Sequence, residues 1–305
     1  MHNFGLVHID TNSKFPNLVL MKLSSWIKHG GGKSELLKPK DILFGNNLFT
    51  DYDKLYGACV FDWNRPVADQ LTAFGVEVGG TGSGNKNTLP DEIEHIMPDY
   101  ELYGITDTAY GFLTRGCPRH CPFCIVGDKE GLVSRKVADL SEFWNGQKYI
   151  KLLDPNLLAC AEHMNLLEQL ANSGAKVDFT QGLDARKLTR ANIDLINNIK
   201  IERVHFAWDN PRDKRIPAAL RIFLNHTNIK EVKRRTVYVL TNYWSTQEED
   251  LYRVYWLRDN GYDPYVMIYD KPNAPKITRY LQRWVNNKRI FRTVLKFENY
   301  NHTIG

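Results

Sequence analysis

Hydrophobic positions fall into two alternating patterns along most of this chain. Short apolar runs at Tyr110–Thr114, Tyr149–Leu153, Lys176–Thr180, Arg203–Trp208, Thr236–Leu240 and Tyr265–Tyr269 read as six β-strands. Between them lie longer amphipathic stretches. Residues 156–173 carry leucines at helical spacing and stop at Gly174. Thr189 caps a helix running to Asn198, with Ile193, Leu195 and Ile196 as its apolar face. A further helix is expected at 215–225, and another from Ser245 to Asn260, with Glu248 as capping-box partner and Gly261 as its stop. Strands alternating with helices imply parallel pairing through right-handed crossovers. Six units fall short of the eight that close a barrel. The expected α/β core is therefore a partial (β/α)6 TIM-like barrel over 105–272, and an open doubly wound sheet is the alternative. In either fold, ligands gather at the C-terminal ends of the strands.

The first hundred residues have a different rhythm. Leu6–Asp10 reads as a strand and residues 17–29 as an amphipathic helix ending at Gly30-Gly31-Gly32. Further strands are expected at Asp41–Phe44, Gly57–Phe61 and Gly75–Gly79, giving a small, incomplete Rossmann-like domain over 1–100. Gly79–Gly84 lacks the Lys-Ser/Thr ending of a phosphate-binding P-loop and reads as a plain loop. Residues 273–305 form a basic C-terminal helical extension. Lys276, Arg279, Arg283, Lys288, Arg289, Arg292 and Lys296 occur there with no acid among them, and Tyr280, Trp284 and Phe291 are interleaved. Such a segment either binds nucleic acid, through phosphates and stacked bases, or closes the barrel with a solvated basic face. The formal charge of +5 permits an anionic partner without requiring one.

Composition, with 43% hydrophobic and 25% charged residues in 305, is that of a globular protein. No apolar run approaches the roughly 20 residues that span a bilayer, so no membrane partner is expected. Met1-His2-Asn3-Phe4 lacks the basic start and apolar run of a secretory leader, which points to a cytoplasmic setting. Five cysteines, an odd and sparse number, fit reduced thiols better than a disulfide framework. Cys59 and Cys160 lie in apolar surroundings and read as buried structural thiols.

The other three cysteines are packed into eight residues, Cys117, Cys121 and Cys124, with spacing C-x3-C-x2-C. Thiolates select iron–sulfur clusters, zinc or copper(I). An ordinary four-iron cluster takes four cysteines, so a loop offering three leaves one iron open to a small molecule. Zinc would need a fourth ligand, from His120, Cys59 or Cys160.

The spacing, in its setting Thr114-Arg115-Gly116-Cys117-Pro118, resembles the radical S-adenosylmethionine (SAM) superfamily. That resemblance implies a [4Fe-4S] cluster on Cys117, Cys121 and Cys124, with SAM chelating the open iron. It also implies reductive cleavage to a 5′-deoxyadenosyl radical that abstracts hydrogen from a substrate, and a reducing partner such as flavodoxin or ferredoxin. Phe15–Leu23, Leu89–Glu94, Pro98–Tyr100 and Phe179–Arg186 resemble the cobalamin-binding type of radical SAM protein, here with a degenerate N-terminal domain. Where cobalamin is held by histidine, that type carries Asp-x-His-x-x-Gly. Here Asp10 is followed by Thr11-Asn12-Ser13-Lys14-Phe15, and cobalamin is not expected.

By the same resemblance Phe123 packs near the adenine, and Asp154 or Asn156 accepts from the SAM amino group. Gln181, Asp184 and Arg186 form a further SAM-contact group, in which Arg186 forks onto the carboxylate and Asp184 holds ribose hydroxyls or orients Arg186. Asp209 and Asn242 sit at the ends of the fourth and fifth strands. Asp154, Asn156, Asp209 and Asn242 also read as helix caps, and the Asp184–Arg186 group as a loop ion pair. Thr-Arg-Gly-Cys-Pro also occurs in tRNA methylthiolating enzymes, which makes nucleic-acid modification one branch. Those enzymes carry a second N-terminal cysteine set, and only Cys59 precedes the loop here, which argues against methylthiolation. A non-catalytic metal protein, structural or redox-sensing, is the rival class and would bind no SAM.

Overall fold

The computed structural model describes residues 2–45, 51–85 and 88–303. It is a mixed α/β structure with two main sheets, one wholly parallel. The chain divides into two compact units, Met1–Tyr110 with Ser141–Gln147, and Gly111–Leu140 with Lys148–Gly305.

The first unit holds β1 (Asn3–His8), β2 (Lys33–Leu37), β3 (Lys54–Ala58) and β4 (Glu77–Gly79) in the order β2-β1-β3-β4, all parallel. α1 (Leu18–His29) opens where the Asn17 side chain accepts from the Leu20 N–H at 3.2 Å. Successive residues of β1 feed opposite faces of the sheet. Leu6 packs with Leu20, Leu23 and Ile27 of α1, while Val7 joins a core that includes Ile42 of α2 (Pro39–Leu43) and Leu71 of α3 (Arg65–Ala73). α4 (Asp91–Glu94) adds Ile93 to the α1 side. The strand expected at Asp41–Phe44 is instead α2. Pro39 sits at its start, where a missing N–H costs nothing, and the Asp41 carboxylate accepts from the Lys38 N–H at 2.8 Å. The second strand is Lys33–Leu37, whose polar Lys-Ser-Glu positions hid it. Asp10 is buried and spends its carboxylate on the Val60 N–H (2.6 Å) and Asn64 Nδ2 (2.8 Å).

The second sheet is built from β5 (Thr108–Gly111), β8 (Tyr149–Leu152), β9 (Lys176–Phe179), β10 (Lys200–Ala207), β11 (Arg235–Thr241) and β12 (Asp263–Ile268). β6 (Thr114–Arg115) and β7 (Arg135–Lys136) form a separate antiparallel ribbon. The order β12-β11-β10-β9-β8-β5 follows the chain, and β8 to β12 are parallel. β5 and β12 are the two ends of this sheet, which is open rather than a closed barrel. One face is apolar and buried, through Ile150, Leu152, Val177, Phe179, Val204, Phe206, Val237, Val239 and Val266. The alternate positions carry Lys151, Asp178, His205, Tyr238 and Tyr265.

The helices of this unit are α5 (Val126–Glu130), α6 (His163–Ser173), α7 (Arg190–Asn198), α8 (Arg215–His226), α9 (Gln247–Asp259), α10 (Lys276–Asn286) and α11 (Lys288–Thr293). α6 starts seven residues later than the leucine spacing suggests. Leu157–Ala159 is a single 3-10 turn, and Asn156 before it is extended and turned inward. α9 uses Thr246 and Glu249 as its capping box, one residue on from the expected pair. The Thr246 hydroxyl accepts from the Glu249 N–H (3.3 Å), and the Glu249 carboxylate accepts from the Thr246 N–H (2.9 Å).

The C-terminal segment packs on the edge strand. Asn286 Oδ1 accepts from the Val266 N–H (2.8 Å), and Asn286 Nδ2 (2.9 Å) and Gln282 Nε2 (3.1 Å) donate to the Val266 carbonyl. Lys288 donates to the Pro264 carbonyl at 2.6 Å. Of the interleaved aromatic residues, Trp284 and Phe291 are core, 0% and 5% exposed, and Tyr280 stacks on His302. Arg279 and Arg283 donate to main-chain carbonyls of Ala274 and His302. Among the described residues no helix is long and apolar enough to cross a membrane.

Candidate functional site

The cysteine loop leaves the sheet just beyond β5 and is fixed from below by Asp154. This carboxylate is buried and accepts from the Leu113 N–H (3.3 Å), the Thr114 N–H (2.5 Å) and the Thr114 hydroxyl (2.6 Å). Burial pushes its carboxyl up to about 6, against the pull of those three bonds. Asp154, expected at the SAM amino group, makes these three bonds to the start of the loop. The loop then turns through Gly116 at φ +88°, where a Cβ would come within 2.1 Å of the Val133 carbonyl oxygen. Glu130 accepts from Arg115 (2.9 Å) and from the Gly116 N–H (3.1 Å), and the Cys117 N–H donates to the Gly131 carbonyl (3.0 Å).

Cys117, Cys121 and Cys124 are free and half-buried, and Cys59 and Cys160 are free and buried. Burial first, then Asp209 and the other two loop thiols, push the Cys121 thiol up to about 11. Cys121 is therefore within electrostatic reach of the other two loop thiols. Among the described residues no three His, Cys, Asp or Glu side chains converge on one point as a single metal ion requires. A four-iron cube binds its thiolates at separate corners and needs no such convergence. His120 faces Asp128 at 3.5 Å.

Above the loop lies a polar network. Asp184 accepts from Arg119 Nε (2.6 Å), from Arg186 Nε (2.7 Å) and from the Arg186 N–H (3.1 Å). Burial alone would raise its carboxyl, but the bonds from Arg186 and Arg119 win and hold it below the usual carboxylate range. Arg186 reaches on to Asp213 at 3.3 Å. Asn156 Nδ2 donates to Cys117 Sγ and to Asp184, each at 3.4 Å, and the Ser134 hydroxyl donates to its carbonyl at 2.9 Å. The Asn156 Oδ1 atom is buried with no hydrogen-bond partner. An orphaned buried acceptor of this kind is costly unless a donor arrives.

The remaining expected residues divide. Phe123 sits edge-on to Tyr243 (5.5 Å) and Trp244 (5.4 Å). Asp209 is nearby, and burial pushes its carboxyl up to about 6. Asn242 has φ +62° and donates to the Tyr269 carbonyl (2.8 Å). Gln181 is exposed. The sequence reading missed Arg119 and Asp213, which complete the Asp184–Arg186 network from 65 residues before Asp184 and 27 residues after Arg186. It also missed Arg253, which is fully buried. Arg253 donates to the carbonyls of Trp208, Asp209 and Leu240 and to the Asp250 carboxylate, strapping the ends of β10 and β11 to α9.

No protein-family model matches the chain. The chain is similar to the tRNA-2-methylthio-N(6)-dimethylallyladenosine synthase of Flavobacterium psychrophilum, at 28% identity over 159 residues. The match covers 46% of this chain and 31% of that synthase. So the chain spans about a third of the length of the curated relative it matches. This distant, partial likeness supports the radical SAM superfamily, and enzyme status with it, at that coarse level. It does not reach the cobalamin-binding type.

Proposed function

We propose that this protein is a radical SAM enzyme whose cluster is held by Cys117, Cys121 and Cys124. When bound, a four-iron cluster with one open iron supplies the electron that cleaves SAM to a 5′-deoxyadenosyl radical, which takes hydrogen from the substrate. The observation that carries the reading is the unpartnered side-chain oxygen, Oδ1, of Asn156, whose Nδ2 donates to Cys117. Its chemistry suits an ammonium donor, and three soft thiolates suit iron. Asn156 is assigned to the SAM amino group. Arg186, steadied by Asp184 and Asp213, is assigned to the carboxylate, and Arg119 locks Asp184 in the orientation that this needs. Phe123 supplies an apolar wall for the adenine. The open six-stranded sheet is taken as a partial (β/α)6 barrel and the first unit as a degenerate Rossmann-like domain.

Electron paramagnetic resonance of anaerobically reconstituted, dithionite-reduced protein tests this. A reduced four-iron signal that changes when SAM is added supports the reading. A signal indifferent to SAM, or stoichiometric zinc in purified protein, overturns it in favour of a structural or sensing metal site.

A further inference from the structure

On the second sheet, the face opposite the apolar one carries a line of rings. Along β12 and its end, Tyr265, Met267 and Tyr269 alternate with buried Val266 and are 41%, 47% and 42% exposed. Tyr265 lies opposite Tyr238 in register, with ring centroids 5.9 Å apart, and Tyr238 stacks on His205 at 5.0 Å. At the other end Tyr269 meets Tyr243 at 4.7 Å, and Tyr243 meets Phe123 of the cysteine loop. Met267 lies between Tyr265 and Tyr269 along the chain. A row of large apolar side chains left open to solvent marks a binding surface rather than a core.

Two independent features point the same way. Non-glycine residues with left-handed backbone are uncommon and cluster at functional sites. Among the described residues there are three, His120 in the loop, Asn242 next to Tyr243, and Asp270 next to Tyr269. Two of them therefore aim rings of this row. Second, the Asp178 Oδ1 atom is buried on this face without a hydrogen-bond partner. His205 Nδ1 lies 3.4 Å from it but is engaged with the Phe179 carbonyl at 3.1 Å. Lys151 and Arg203 lie on the strands either side of Asp178, and Arg203 is exposed. The face thus combines flat apolar rings, an exposed arginine and a buried carboxylate oxygen without a hydrogen-bond partner.

We infer that this face seats a single-stranded nucleic acid, with bases stacked on Tyr265 and Tyr269, a phosphate drawn by Arg203, and one base edge donating to Asp178. Stacking on aromatic side chains beside cations is how single strands are held without sequence readout. A strand fits better than a free nucleotide because the rings run along an open face and not around an enclosed hole. The inference deepens the proposed function and rests on it only in placing the row's Phe123 end beside the cluster.

The test is fluorescence anisotropy of the full-length protein, without SAM, against a labelled single-stranded 12-nucleotide RNA of mixed sequence. Binding should weaken steeply as salt rises. Tyr265→Ala and Tyr269→Ala should each weaken it about tenfold, with Tyr265→Phe close to wild type. Trp63→Ala, an exposed ring of the first unit, should change nothing. Undiminished binding by both tyrosine-to-alanine variants overturns the inference, as does absence of binding. Displacement by AMP at concentrations matching the RNA also overturns it, in favour of a mononucleotide site. Because SAM is absent, these results stand apart from the EPR outcome.

Discussion

Replacing Arg253 with methionine should destabilise the second unit more than any exposed change in it. The guanidinium is fully buried and serves five acceptors, the carbonyls of Trp208, Asp209, Leu240 and Glu249 and the carboxylate of Asp250. Methionine keeps the bulk and deletes the charge, so the chief loss is electrostatic. Breaking one side of a buried ion pair costs about 3–5 kcal/mol, because the remaining charge is left uncompensated. At roughly 2–4 °C per kcal/mol for a unit of this size, the midpoint should fall by about 6–20 °C. The chain has two units, so a global melt mixes their transitions. Hydrogen exchange followed on peptides from 203–208 and 235–241 reads the strands that Arg253 straps. Those amides should lose protection while peptides from β1 and β3 keep theirs. Arg253→Met with Asp250→Leu should regain much of the loss, since apolar replacement of a whole buried pair is often neutral. A loss below about 1 kcal/mol in the single variant, or no recovery in the double, would refute the reasoning.

Three further outcomes are expected. Asp154 carries a carboxyl raised by burial to about 6, so the folded chain binds its proton more tightly than the unfolded one. Its burial costs nothing below about pH 4 and destabilises progressively up to pH 6, by about 3 kcal/mol. The stability of wild type relative to Asp154→Asn, from urea titrations across that range, should fall accordingly, and a flat difference would sink the claim. Asn156→Ala should weaken SAM binding by about 10–100-fold in equilibrium dialysis, while the EPR signal without SAM stays as in wild type. Cys117→Ser should strip iron and sulfide from reconstituted protein, whereas Cys59→Ser should leave both in place, and equal loss in the two would contradict the assignment of the loop.

The sheet of the second unit was legible because its strands are buried on one face and read as apolar runs. Lys33–Leu37 was not, because its side chains alternate and the polar ones dominate the pattern. Asp41–Phe44 was misread because Ile-Leu-Phe looks like a strand unless the preceding Pro39 is weighed as a helix start. The start of α6 slipped because Leu157 and Leu158 have helical spacing, and only the inward turn of Asn156 shows that they belong to the loop. At the site, residue types and the cysteine spacing singled out Asn156, Asp184 and Arg186, which the structure joins in one network with Cys117. Pairings across long separations, Arg119 with Asp184 or Arg253 with three carbonyls, leave no mark in the sequence. A charged residue on a helix reads as solvated until its burial is seen.

The dressing of β12 by Asn286, Gln282 and Lys288 has a consequence for the lifetime of the chain. An edge strand left bare offers its N–H and C=O groups to any other strand, and native proteins cover such edges. Here the cover is supplied from beyond Lys276, after the short turn Lys271–Asn273. A protease that cuts in that turn would remove no strand and no cysteine. It would uncover a ready template for cross-β association next to exposed Tyr265 and Met267. A single nick there would convert a dissolved molecule into a seed for aggregation.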